Sequence, residues 1–113
     1  MLITVAELAE YQRLAEKLLS GRERQDIVNY LAAFPKAGDL LQETGGVRKL
    51  RWRRGSKGSS GGVRVIYYFH SERIPLYLLT VFAKNERADL NQAQRNELAS
   101  IVKILAKAAL NRR

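Results

Sequence analysis

The spacing of apolar residues changes twice along this chain, and that change most constrains how it can fold. Up to residue 34, apolar residues recur every three to four positions, which is typical of helices that pack by one face. From residue 47 to 83 they alternate with polar residues or run continuously, as in β-strands, and the helical spacing returns after residue 91. This order predicts an α+β fold with an N-terminal helical hairpin, an antiparallel sheet of three to four strands and a C-terminal helix.

Three sequence signals mark where the helices are expected to begin. Each matches the capping box, in which a side-chain oxygen and an acid or amide three residues later satisfy free backbone donors. The three signals begin at Thr4, Ser20 and Asn91. The first predicts a helix over residues 5–19, the second a helix that is ended by Pro35, and the third the C-terminal helix.

The middle of the chain predicts three strands that pair in sequence order as an antiparallel meander. The segments are a strand at 47–54, a Gly- and Ser-rich connector at 55–62, a strand at 63–70, a turn at 71–74 and a strand at 76–83. The last strand is apolar on both faces, so we expect it to be covered on both sides. Residues 36–46 are predicted to form a loop, and Ile3 with its neighbours is a candidate for a short edge strand.

Length and composition exclude several classes of protein. A chain of 113 residues is predicted to form one domain over residues 1–113. Because it has no cysteine and one histidine, it cannot contain a disulfide scaffold, a zinc ribbon, an iron–sulfur site, a thiol nucleophile or a His-rich metal site. No secretory signal is visible, and the longest apolar stretch is far shorter than the ~20 residues of a spanning helix. We therefore expect a small cytoplasmic protein.

Positive charge is concentrated in one window of the chain. The formal net charge is +9, and no acidic residue lies between Glu43 and Glu72. The seven cations of that window are Arg48, Lys49, Arg51, Arg53, Arg54, Lys57 and Arg64. A local excess of this kind attracts polyanions, of which nucleic acid is the commonest, so we favour nucleic-acid contact over a merely solvated surface.

Strand geometry predicts that part of this charge gathers on one surface. Alternation places Lys49, Arg51 and Arg53 on one side of the first strand, while Arg64 opens the second strand and Lys84 closes the third. Arginine binds phosphate through a fixed fork of hydrogen bonds, and lysine supplies a movable charge. Crowded like charges disfavour protonation, so a lysine of the cluster is a candidate base for a ribose 2′-hydroxyl. The alternative is that these residues only bind.

Several segments together resemble the RelE/HigB family of bacterial toxins, with the HigB-like branch as the nearest match. The matching segments are residues 37–46, 47–52, 60–68, 78–86 and 88–90. The resemblance implies the α+β fold and a toxin of a type II toxin–antitoxin pair that cleaves messenger RNA in the ribosomal A site. It implies attack by the 2′-hydroxyl on the adjacent phosphate, without a metal or organic cofactor. It also implies an antitoxin partner, commonly acidic or of the helix-turn-helix type, and operator binding by the complex.

The resemblance assigns catalytic positions that coincide with those chosen by charge. The family's basic pair on the first long strand falls on Lys49 and Arg51, its next arginine on Arg64, and its basic residue after the last strand on Lys84. Further candidate RNA-binding residues are Arg48, Arg53, Arg54, Lys57, Asn85 and Glu86. RelE has an arginine and a tyrosine where this chain has Asn85 and Asn91. Base stacking and proton donation must therefore come from other residues, with Lys84, Glu86 or a strand tyrosine as candidates.

Two other functions remain open at this stage. A toxin of the same fold that acts on DNA gyrase, as ParE-type relatives do, would not need strand cations that meet a phosphate. A non-catalytic RNA-binding module would use the same charges for salt-sensitive binding and would release no cleavage products.

Overall fold

The computed structural model describes residues 2–53, 62–87 and 89–111. Within these residues the elements, in chain order, are β1 (Val5–Glu7), α1 (Ala9–Leu18), α2 (Gly21–Ala33), β2 (Asp39–Leu40), β3 (Val47–Trp52), β4 (Val63–Tyr68), β5 (Leu76–Ala83) and α3 (Gln92–Leu110). The predicted α+β fold, with two helices ahead of the antiparallel strands and one helix after them, is confirmed.

The strands form one sheet in the order β1-β5-β4-β3-β2. Strands β2 to β5 pair antiparallel with their neighbours, which confirms the predicted meander, whereas β1 pairs with β5 in parallel. The described sheet therefore has five strands, where three to four were predicted. The two additional pairings come from β1 and β2, whose short segments carry too few residues to show a clear alternation.

The N-terminal capping box was predicted wrongly. Residues Val5 to Glu7 pair with Leu76 to Leu78 of β5, and Thr4 accepts a hydrogen bond from the Leu76 amide through its backbone carbonyl. Pairing with the edge of β5 therefore holds residues 5–7 in an extended conformation, and no helix can begin at Thr4. Helix α1 begins only at Ala9, and its N-cap makes no side-chain hydrogen bond. The edge strand expected around Ile3 exists, displaced to residues 5–7.

The other two capping boxes are confirmed. Ser20 Oγ accepts from the Glu23 amide at 3.1 Å, and the Glu23 carboxylate accepts from the Ser20 amide at 2.9 Å. Asn91 and Gln94 make the equivalent reciprocal pair at the start of α3, at 2.8 and 2.9 Å. Helix α2 ends at Ala33, so Pro35 lies just beyond it as expected. These boundaries could be predicted because each depends on side chains within four residues of one another.

Helices cover both faces of the sheet. On one face, residues of α1 and α2 pack against the sheet, with a core of Tyr11, Ala15, Leu19, Ile27, Leu31, Leu50, Val63, Val65, Tyr67, Leu76, Leu78 and Val81. On the other, α3 and the loops beside it contribute to a core of Leu41, Val47, Ile66, Tyr68, Ile74, Leu79, Phe82, Leu90, Leu98 and Val102. All residues of β4 are buried, and β5 is buried except at Tyr77, which confirms the double coverage predicted for the last strand.

The first two long strands are shorter than predicted. Strand β3 ends at Trp52 and β4 at Tyr68, and the predicted connector lies outside the described residues except for Gly62. Gly62 has a φ of +65°, and a Cβ atom there would collide with the carbonyl oxygen of Trp52. Glycine is therefore required where the chain enters β4 close to the end of β3. None of the helices within the described residues is long and apolar enough to cross a membrane.

Candidate nucleic-acid interface

The alternation of β3 sorts its cations onto two faces of the sheet. Leu50 and Trp52 belong to the core under α1 and α2, whereas Val47 belongs to the core under α3. Because neighbouring side chains of a strand point to opposite faces, Lys49 and Arg51 lie on the α3 face with Val47. Arg51 is exposed and Lys49 is partly buried. The strand thus presents two of the predicted cations on a common surface.

Strand β4 adds Arg64 to this surface. Arg64 is the pairing partner of Arg51, and directly opposed residues of an antiparallel pair share a face with their Cβ atoms about 4.5–5.5 Å apart. The Arg64 side chain is 7% exposed, and its Nη1 donates to the Val63 carbonyl at 3.2 Å. The pair brings two positive charges together at this point of the sheet. We name Lys49, Arg51 and Arg64 the cationic face.

The turn that follows β5 carries the remaining predicted residues on this side of the chain. Lys84, Asn85 and Glu86 are exposed, and the Lys84 amide donates to the Gly62 carbonyl at 3.1 Å. That hydrogen bond holds the end of β5 beside the start of β4, within two residues of Arg64 along the chain. The three residues therefore lie near the end of the sheet at which Arg64 stands, and two of them, Lys84 and Glu86, carry ionisable groups.

Arg87 is a residue that the sequence interpretation missed. Its guanidinium carbon lies 4.9 Å from the centre of the Phe82 ring, and Phe82 is the pairing partner of Arg64 on β5. A row across the sheet therefore runs from Arg51 through Arg64 to Phe82, with the exposed Arg87 over the ring. The signal was present in the sequence, because the resemblance places an arginine at position 85 and Arg87 lies two residues further along the chain.

One carboxylate enters the cationic face from the segment before α3. Asp89 Oδ1 lies 3.2 Å from Lys49 Nζ, and Asp89 Oδ2 lies 3.7 Å from Arg95 Nη2. Partial burial by itself raises the pKa of the Asp89 carboxyl, but the hydrogen bond from the Leu90 amide, together with Lys49 and Arg95, leaves the pKa lowered. The hydrogen bond and ion pair with Asp89 place the Lys49 ammonium at the α3 side of the cationic face.

Two of the predicted RNA-binding residues lie away from the cationic face. Arg48 points to the α1–α2 face, where its Nη1 donates to the Gly38 carbonyl at 2.8 Å and to the Lys36 carbonyl at 3.3 Å. Arg53 follows the end of β3 and lines a cleft with α2 residues, among them Arg22. The expectation that Arg53 joins Lys49 and Arg51 on one side fails because the strand ends before it. Arg54 and Lys57 lie outside the described residues.

The comparison with known proteins bears on the fold. No protein-family model matches this chain. Among solved structures, the chain is similar to a free-state structure of the Escherichia coli toxin RelE in which two arginines are replaced by alanine. The match has a TM-score of 0.56 and 15% sequence identity, and it covers 78% of this chain and 90% of that one. Two helices, a sheet and a C-terminal helix are thus arranged here as in that toxin, and the chain has a RelE-like fold.

Proposed function

We propose that this chain is the toxin of a type II toxin–antitoxin pair and that it cleaves messenger RNA in the ribosomal A site. The observation that carries the proposal is the cationic face, on which Lys49, Arg51 and Arg64 come from two adjacent strands of a RelE-like fold. Charges held on strands present a phosphate with donors that need little reorganisation. The sequence resemblance to the HigB-like branch supports the same function.

The proposed reaction is attack by a ribose 2′-oxygen on the neighbouring phosphorus. A bond forms between the 2′-oxygen and phosphorus, the bond from phosphorus to the 5′-oxygen breaks, and a cyclic phosphate and a 5′-hydroxyl result. Negative charge grows on the non-bridging oxygens during this step, and the guanidinium groups of Arg51 and Arg64 would stabilise it. Lys49 would act as a cation because of its ion pair with Asp89.

Proton transfer falls to the turn after β5 in this proposal. Lys84 and Glu86 are both exposed at this turn: in the proposal one of them takes the proton of the 2′-hydroxyl, and the other gives a proton to the leaving 5′-oxygen, so that a 5′-hydroxyl forms. Arg87, over Phe82, offers a flat guanidinium on which an unstacked base can lie, which would serve the stacking that Asn85 and Asn91 cannot supply. The Asn91 side chain already caps α3. The reaction as written calls for no metal or organic cofactor.

The proposed partners follow from the same function. A cognate antitoxin would silence the cationic face in the cytoplasm, and an acidic segment suits a chain with a net charge of +9. Operator DNA would be bound only by the toxin–antitoxin complex. The exposed Asn85 and Glu86, with Arg54 and Lys57, are proposed to contact RNA around the cut site, and Arg53 is proposed to contact RNA outside the cationic face.

The test is cleavage of a defined messenger RNA on programmed ribosomes without added metal beyond what the ribosomes need. Arg51→Ala and Arg64→Ala should each lower the single-turnover rate by about 100-fold, the typical effect of removing one donor to a developing oxyanion. Because Arg64 is buried, its variant requires a check of folding by circular dichroism, whereas the exposed Arg51 avoids this problem. Arg22→Ala removes an exposed arginine from α2 and is the matched control.

Each outcome separates the three candidate functions. Full cleavage by Arg51→Ala and a folded Arg64→Ala would contradict the proposed role of the cationic face. Intact messenger RNA together with inhibited DNA gyrase would favour the ParE-type alternative. RNA binding that depends on salt but releases no cleavage products would favour a non-catalytic binding module. In that case the logarithm of the binding constant should fall by about 0.7 per phosphate contact for each unit of log salt concentration.

A further inference from the structure

Asp89 is the carboxylate that the described residues bring into direct contact with the cationic face. It comes from outside the sheet, in the short segment between β5 and α3. Its Oδ1 atom lies 3.2 Å from Lys49 Nζ, which is hydrogen-bond distance, and the lysine side chain is 17% exposed. The Asp89 side chain is 45% exposed, so solvent screens the pair from the acid side and much less from the lysine side.

Asp89 is itself held in place from two directions. The Leu90 amide donates to Asp89 Oδ1 at 2.8 Å, so the carboxylate is tied to its own backbone. Arg95 approaches Oδ2 from the first turns of α3, at 3.7 Å. Leu90 is buried in the core beneath α3. The carboxylate is therefore a fixed feature of the α3 end of the molecule rather than a freely rotating surface group.

The charges around Lys49 explain why a fixed carboxylate matters. Arg51 lies two residues along the same strand and face, Arg64 lies diagonally on β4, and Arg95 approaches from α3. On the remaining side, Asp39 of β2 is the pairing partner of Lys49 and is exposed. Without Asp89, Lys49 would keep these cationic neighbours and only the exposed Asp39 as an acid beside it, so its ammonium would lose the contact that fixes its position.

We propose that Asp89 is a positioning residue that holds the Lys49 ammonium charged and oriented on the cationic face. This inference rests on the proposed RNA cleavage for its catalytic meaning, but the ion pair can be tested without it. Lys49 then acts as a fixed positive charge toward the phosphate, and the proton of the 2′-hydroxyl goes elsewhere. Arginine stays protonated in any protein environment, so Lys49→Arg should make the charge at position 49 independent of Asp89 and can serve as a rescue variant.

The first measurement needs no activity. Trace acetylation with acetic anhydride, read by mass spectrometry, reports the reactivity of each lysine, because only the neutral amine reacts. In Asp89→Asn the rate at Lys49 should rise about three- to ten-fold, the factor expected for loss of a partly buried ion pair. The rate at the exposed Lys17 should stay the same. Asp39→Asn removes an equal charge from the other side of Lys49 and should change the Lys49 rate by less than about two-fold.

The second measurement uses cleavage on programmed ribosomes. Asp89→Asn should lower kcat by about ten-fold with a smaller change in KM, because the charge matters most as the phosphate gains negative charge. The ratio of the Asp89→Asn rate to the wild-type rate should fall as the pH rises from 7 to 9.5. In a Lys49→Arg background, the ratio of the rate with Asp89→Asn to the rate without it should stay constant over that range.

The outcomes separate failure of this inference from failure of the proposed function. Unchanged acetylation of Lys49 in a folded Asp89→Asn variant would overturn the positioning role. An RNA cleavage rate that Asp89→Asn lowers by the same factor at every pH would also overturn it. A wild-type protein that does not cut RNA would overturn the proposed function instead, while the acetylation result would still decide whether Asp89 governs Lys49.

Discussion

Two buried tyrosines offer a sharp test of the hydrogen bonds in this structure. Tyr67 Oη accepts from the Gly38 amide and donates to the Pro35 carbonyl, both at 2.8 Å. Tyr11 Oη is equally buried but has no hydrogen-bond partner among the described residues. Replacement by phenylalanine removes the same atom from each site, so the two variants differ mainly in what the hydroxyl was bonded to.

Only the Tyr67 variant is expected to lose stability. Tyr67→Phe loses two hydrogen bonds and leaves the buried Gly38 amide unpaired, which should lower the free energy of unfolding by about 2–4 kcal/mol. For a domain of about 100 residues this corresponds to a Tm lower by roughly 8–16 °C. Tyr11→Phe removes an unpaired buried hydroxyl and should leave stability unchanged or raise it by about 1 kcal/mol.

Urea unfolding followed by far-ultraviolet circular dichroism measures both values, provided that the slope m is unchanged between variants. The physical reason for a large Tyr67 effect is that Gly38 packs against the Tyr67 ring so closely that a Cβ atom there would lie 2.8 Å from it. Removing the hydroxyl leaves both the Gly38 amide and the Pro35 carbonyl without this partner. Equal changes for the two variants would refute this reasoning.

Two further predictions concern helix capping and alkaline pH. Ser20→Ala should lower the free energy of unfolding by about 1 kcal/mol in the same urea assay, whereas Ser20→Asp, which keeps an acceptor for the Glu23 amide, should not. Burial raises the pKa of Tyr11 from its usual 10.0 to about 12, assisted by Glu7 and opposed by Arg24. Above pH 10 the unfolded chain releases a proton that the folded chain keeps, so stability present below pH 10 should fall by about 2–3 kcal/mol as the pH approaches 12. Tyr11→Phe should lessen this loss in urea titrations at successive pH values, and an unchanged loss would contradict the assignment to Tyr11.

The candidate site shows how far strand alternation reaches. Period-two spacing predicted that Lys49 and Arg51 share a face, and in-order pairing predicted that Arg64 joins them; the structure has both features. The same rule failed for Arg53, because it assumes that the strand continues and β3 ends at Trp52. Arg48 lies on the opposite face, as alternation requires, so charge alone was a poor reason to group it with the other cations.

Contacts between distant segments could not be predicted in the same way. The hydrogen bond between Lys49 and Asp89 joins residues 40 positions apart, and nothing in the spacing of either segment indicates it. Arg87 reaches Phe82 only because the turn after β5 folds back over the strand. Thr4 illustrates the opposite case, since a local capping signal was overruled by the open edge of β5. A local preference of about 1 kcal/mol yields to pairing with a whole strand.

Local chemistry in the sequence determined the helix starts at Ser20 and Asn91, the apolar faces of the strands and the concentration of cations around β3, because each depends on residues a few positions apart. Only the tertiary structure decided the parallel addition of β1 and the placement of Asp89 against Lys49. The physical reason is that pairing and desolvation act between segments that chain folding brings together, and their free energy depends on what each segment finds as its neighbour.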